Sequence, residues 1–185
     1  VLIVFTLIAM AAMPWLVLAM ASGFAGDERF ELATLFGRIA FPYILFISLA
    51  ALLSGVLNAT GRFAAAAAAP VLLNIIFVLA IWLSAAGCKC TEGELQAWTG
   101  WHLAWAVPVA GIAQLVLVWV AAARAGFRLT LKRPRLTPDL KRLAIIAAPA
   151  ALAGGVVQVN LLVGRQVASF FDGAVAWLSY ADRLY

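Results

Sequence analysis

The sequence predicts an all-α protein of the membrane: a polytopic bundle of transmembrane helices, with five complete spans and the start of a sixth. Composition is the first observation behind this. Hydrophobic residues make up 66% of the 185 and charged residues only 11%, whereas a soluble domain carries about 25% charged residues. An apolar excess of this size cannot be wrapped in polar surface. The second observation is distribution. The mean hydropathy of +1.05 is concentrated into runs of about 20 residues, the length that crosses a hydrocarbon core about 30 Å thick. The third is that the segments between these runs alternate in charge, as they do in a chain that threads back and forth with a fixed sidedness.

The spans follow in order. The first runs from Val1 to about Ala21 and is broken by Pro14. It is too long for a signal peptide and lacks a basic leading segment. The next runs cover about 35–57, 63–86, 101–123 and 143–170, and a sixth opens near Ala174 and is incomplete at Tyr185. The fifth is longer than a bilayer needs, so it is expected to tilt, kink or protrude. Because the chain opens and closes inside apolar runs, it reads as an internal fragment, with 1–185 as a single transmembrane domain.

The connections give the orientation. Gly26–Glu31 sets Asp27, Glu28 and Glu31 against Arg29, and Gly87–Thr99 sets Glu92 and Glu94 against Lys89. Phe171–Gly173 has only Asp172. Asn58–Arg62 contributes one arginine, and Arg124–Arg142 holds seven of the thirteen basic residues against Asp139. By the positive-inside rule the loops after the second and fourth spans are cytoplasmic, and the other three face outward. The same clustering disposes of a nucleic-acid reading of the +5 net charge: bases gathered beside apolar spans set topology rather than track a phosphate backbone.

Within the spans, Ala64–Ala69, Ala147–Ala151, Gly154 and Gly155 supply small residues that let helices approach closely. Pro14, Pro42, Pro70, Pro108 and Pro149 place a proline in every complete span. Each removes a backbone hydrogen bond, and five together point to the bent helices of a transporter rather than to a simple anchor.

Polar groups inside the membrane carry the functional reading, because they are costly unless paired or wet. The fifth span holds Gln158, Asn160 and Arg165 and ends with Gln166 and Ser169. Gln158, Arg165 and Ser169 fall near one helical face, a stripe suited to a cavity or to another helix. In the sixth, Asp182 and Arg183 are adjacent and so diverge by about 100° on a helix. They therefore have separate partners or share a polar lumen. Arg165 and Arg183 together would present two planar donor forks to a phosphate-bearing anion. Arg38, at the outer end of the second span, reads as an interfacial anchor or as part of the same cationic site. Asn58, Arg62, Asn74 and Gln114 read as packing or capping groups. Cys88-Lys89-Cys90 and His102 do not make up the ligand set of a metal site, and no catalytic motif occurs.

The motifs themselves resemble the MurJ (MviN) family. The resemblance is carried by Arg38-Ile-Ala-Phe-Pro-Tyr, Gly55-Val-Leu-Asn58, Gly61-Arg62-Phe63, and Ala69-Pro70-Val-Leu-Leu-Asn74. Gly111 with Gln114, Gln158-Val-Asn160 with Ala168-Ser169, and Leu178-Ser-Tyr-Ala-Asp-Arg-Leu184 continue it in order. It implies a lipid II flippase of the multidrug/oligosaccharidyl-lipid/polysaccharide exporter superfamily, with fourteen helices in two six-helix lobes plus two more. This chain would then run from the third helix to the start of the eighth. It also implies a multi-pass protein of the bacterial inner membrane and alternating access. The partners would be undecaprenyl-diphosphate-linked lipid II and membrane lipids. No cofactor is implied beyond coupling to an ion or to the membrane potential. Arg183 matches an arginine thought to hold the lipid-linked diphosphate in the family's cavity, whereas Arg165 falls where the family varies. Two rival readings are a sibling exporter of drugs or other polyprenyl-linked glycans and a membrane enzyme acting on polyprenyl phosphates.

Overall fold

The computed structural model describes residues 2–87, 91–127 and 138–183, and among them the chain is helical, with no strand. The helices are α1 (Leu2–Ala11), α2 (Met13–Met20), α3 (Glu28–Ala40), α4 (Tyr43–Ala59), α5 (Ala64–Gly87), α6 (Glu92–Arg124), α7 (Pro138–Ala168) and α8 (Ala174–Ala181), with a 3-10 turn at Ser22–Phe24. α5, α6, α7 and the nearly continuous stretch Glu28–Ala59 are each long and apolar enough to cross a membrane, and α1 with α2 makes a further, broken span. The all-α transmembrane architecture expected from composition is present.

Two compact units divide the chain: Val1–Met13 with Glu31–Leu129, and Pro14–Phe30 with Thr130–Tyr185. In the first, α4, α5 and α6 pack around Leu53, Leu57, Ala69, Val118 and Ala122. Small residues set how closely they pack. Ala110 is fully buried, and a Cβ added at Gly111 would meet Tyr43 at 2.8 Å and Phe46 at 3.1 Å. Only glycine lets α6 approach α4 so closely there. At the end that the loop charges assign to the outside, Phe36 meets Trp101 edge-on with ring centroids 6.0 Å apart. In the second unit α7 packs on α8 and on the 3-10 turn. Gly173 opens α8 from the left-handed region at φ 73°, a conformation that favours glycine.

The five prolines differ in where they fall within the helices. Pro70, Pro108 and Pro149 lie inside continuous helices. Helix ends occur only near Pro14 and Pro42: α1 stops at Ala11, and Pro42 is the N-cap of α4. The helix is thus interrupted near two of the five and runs on through the other three. Pro14 also explains a contact of Arg38. A proline at that position has no N–H for the carbonyl of Met10, four residues back. The Arg38 Nε–H donates to that Met10 oxygen at 3.2 Å instead.

Two loops are shorter than the charge pattern suggested. Gly87–Thr99 was expected to be a connection, but α6 starts at Glu92. The Glu94 carboxylate accepts from the Thr91 N–H at 3.1 Å and from the Thr91 hydroxyl at 2.8 Å, satisfying a donor at the helix start. α7 likewise begins at Pro138, inside the basic loop, with proline at a first-turn position where its missing N–H costs nothing. Most of that loop's bases, and Cys88 to Cys90, lie outside the described residues.

Candidate functional site

At the centre of the first unit a buried amide serves packing. Gln114 is 2% exposed. Its Oε1 accepts from the Tyr43 hydroxyl at 3.3 Å, and its Nε2 donates to the Ala69 carbonyl at 3.0 Å. One amide thereby ties α6 to both α4 and α5, the packing role read for it from sequence. Beside it, a cavity of about 200 Å³ is lined by Tyr43, Ser54, Ala66, Ala69 and Gln114 among others. Arg62 and Arg124 line one open cleft of about 540 Å³, at the end of the bundle that the loop charges assign to the cytoplasm. His102 spends its Nδ1 on the Trp98 carbonyl at 2.9 Å.

The second unit holds the stripe of α7, and the structure divides it. Gln158, Asn160 and Arg165 are exposed and make no hydrogen bond among the described residues. Ser169, one turn further on, is 3% exposed. There the end of α7 is stitched to the turn at Ser22–Phe24. The Ser22 N–H donates to Gln166 Oε1 at 3.2 Å, and Gln166 Nε2 donates back to Ser22 Oγ at 2.5 Å. The Gly23 N–H donates to Ser169 Oγ at 3.0 Å, and that hydroxyl donates to the Gln166 carbonyl at 2.7 Å. A Cβ at Gly23 would collide with the Ser169 backbone, so glycine is required for this approach. Beyond it, the Arg29 guanidinium bridges Asp172 at 2.7 Å and Asp27 at 2.5 Å. These contacts join two loops that the charge pattern places on the same, outer side.

Asp182 is the C-cap of α8, and it and Arg183 are exposed. Neither makes a side-chain hydrogen bond among the described residues. Within the second unit, no hydrogen bond among the described residues links Gln158, Asn160, Arg165, Asp182 and Arg183 to one another; Arg38 belongs to the first unit. What the structure does gather, Ser22 with Gln166, Gly23 with Ser169 and Arg29 with Asp172, was visible in sequence only as the tail of the stripe and as opposite charges in two outer loops.

Comparison with known proteins decides the family. A family model described as lipid II flippase MurJ matches residues 1–185. The chain belongs to the MurJ family. A probable lipid II flippase MurJ from Rhizobium tropici is 42% identical over 187 residues, covering 100% of this chain and 34% of the relative. One from Rhizobium meliloti is 43% identical over 190 residues with the same coverage. The lipid II flippase MurJ of Burkholderia cenocepacia is 38% identical over 187 residues, covering 98% of this chain and 35% of its own. The chain spans about a third of the length of the curated relatives it matches. MurJ membership and the long apolar helices together make it a multi-pass protein of the bacterial inner membrane.

Proposed function

We propose that this chain forms part of a transporter, not an enzyme, that moves lipid II from the cytoplasmic to the outer leaflet by alternating access. The observation that carries the reading is the MurJ family match along the entire chain. The relatives' names say lipid II flippase, and the residues present suit that substrate. A lipid-linked diphosphate needs cationic donors near the membrane and an apolar surround for its polyprenyl tail. Arg183 supplies the donor that matches the family's motif, next to Asp182, and Arg165 supplies a second cation on α7. Coupling to an ion or to the membrane potential drives the cycle, and the cationic residues hold the headgroup while the tail stays in lipid.

The test is lipid II movement by the full-length protein in proteoliposomes, or its support of growth in depleted cells. Arg183→Ala is expected to abolish both while the protein still inserts and melts normally. Arg183→Lys restores them only in part, since an ammonium keeps the charge and loses the two-pronged donor geometry. A stable Arg183→Ala protein with full activity overturns the assignment. A poorly folded one moves Arg183 to a structural role, as the partner of a buried charge.

A further inference from the structure

We propose that Ser22, Gly23 and Arg29 with Gln166, Ser169 and Asp172 form a releasable outer latch, closed in this structure and opened each time the transporter discharges outward. The proposal rests on the flippase reading above and adds the residues that gate its outer side.

The first support is where the contacts lie. Ser22 and Gln166 are 144 residues apart in the chain, Gly23 and Ser169 146, and Arg29 and Asp172 143. Three ties therefore join the turn and loop after the first span to the end of α7 and the loop after it, segments whose loops both lie on the outer face by their charge. A helix pair that separates on the outside has to break all of them.

The second support is their chemistry. The joint between α4 and α6 is mainly apolar and buried, with Leu57 1% and Val118 0% exposed and the enclosed Gln114 amide as its brace. The outer contact is built from amide, hydroxyl and backbone donors and from an ion pair whose side chains are 49% and 90% exposed. Water can replace each of these bonds as it opens, so each has a small net worth. The closed form is nonetheless specific. Gln166 engages Ser22 through both of its amide atoms, and Gly23 fits the Ser169 backbone only because it has no side chain. A contact that is geometrically exacting and energetically shallow suits an element that must close in one register and release readily. Gln166 and Ser169 are then positioning residues of the closed state, and neither need touch substrate.

The experiment uses the full-length protein with native cysteines, Cys88 and Cys90 included, replaced. Ser22→Cys with Gln166→Cys is bridged in membranes by a short bis-methanethiosulfonate reagent, and lipid II movement is measured before bridging, after it, and after reduction. Arg29→Cys with Asp172→Cys is a second pair on the exposed side of the contact, for use if the first fails to insert. The expected result is efficient bridging, loss of transport in the bridged protein, and recovery on reduction, with single-cysteine proteins unaffected by the reagent. Transport at the unbridged rate through a bridged protein overturns the latch. So does failure of both pairs to bridge where each single cysteine labels. If the unmodified protein itself moves no lipid II, the flippase reading fails; if it does and bridging leaves the rate unchanged, only the latch fails.

Discussion

Gln114 on α6 and Gln158 on α7 both interrupt apolar helices of membrane-crossing length, yet they meet opposite fates. Gln114 is enclosed, and both ends of its amide are matched by Tyr43 and Ala69. Gln158 is exposed, as are Asn160 and Arg165. The most hydrophobic stretch of α6 is 39% buried within the structure and that of α7 is not buried at all. A polar side chain whose partners lie on neighbouring helices of the same chain is a brace. One without such cover, in a helix that crosses a membrane, has to meet water or other protein, because lipid satisfies neither amide nor guanidinium. The difference separates a scaffold, α4 to α6, from the helix that we propose faces the transport cavity.

The comparison breaks most readily at Gly111. Gly111→Leu puts a side chain where even a Cβ lies 2.8 Å from Tyr43, so α6 must move away from α4. The expected cost is about 1–3 kcal/mol or more, as for other overpacked cores, read as a large drop in melting temperature and in membrane yield. A scaffold that tolerates leucine there with unchanged melting is not the tightly packed unit described here.

Next in size is Gln114→Leu. It removes two hydrogen bonds and leaves the Tyr43 hydroxyl without its described partner. Interhelical polar contacts in membranes average about 0.6 kcal/mol and reach about 1.7, so a loss of about 1–2 kcal/mol is expected. Tyr43→Phe on that background should add little, since the two groups serve one another. Full additivity of the two losses would show that they do not.

These two sites also mark what could be read from the residues. Apolar runs and loop charge identified the membrane helices because bilayer thickness and the positive-inside rule act on composition alone. They located helix ends poorly, since a helix may carry a polar first turn into the interface. Thr91-Glu-Gly-Glu94 opens α6 well ahead of the apolar residues, and its T-x-x-E spacing was the available sign. The Arg38 contact with Met10 was implicit in Pro14, which frees that carbonyl, but nothing local to Arg38 points to it. The pairing of Ser22 with Gln166 was not legible, because contacts more than a hundred residues apart leave no trace in periodicity. For Arg183 the motif carried the reading, and the structure adds only that it follows the C-cap of α8 and is exposed.

Sidedness supplies a prediction with no energetic cost. With native cysteines replaced, a cysteine at Gly93 should label from outside intact cells with an impermeant thiol reagent, and one at Thr130 should not. The basis is the run of bases from Arg124 to Arg142. Labelling at Thr130 would invert the orientation, and with it the assignment of the Ser22–Gln166 contact to the outer face.

The smallest expected effect on stability, and the most informative about α7, is that of the double change Gln158→Ala with Arg165→Ala. Neither side chain has a hydrogen-bond partner among the described residues, so nothing there is orphaned when both are removed. If they stood in a dry interface, truncation would leave partner groups unsatisfied at about 1–3 kcal/mol each. If they face a hydrated cavity, water takes over, and the melting temperature of the full-length protein should stay within a degree or two of the parent. Transport should fall instead, and most for Arg165→Ala, because a cation lining a water-filled path acts on an anionic headgroup over several ångströms. Cysteines at 158 and 165 should label with a small water-soluble thiol reagent, while one at Val156, on the opposite face of the same helix and itself exposed, should resist because lipid shields it. Equal labelling at all three positions would remove the basis for calling this face of α7 a cavity wall. A large loss of stability with transport intact would make Gln158 and Arg165 braces of the same kind as Gln114.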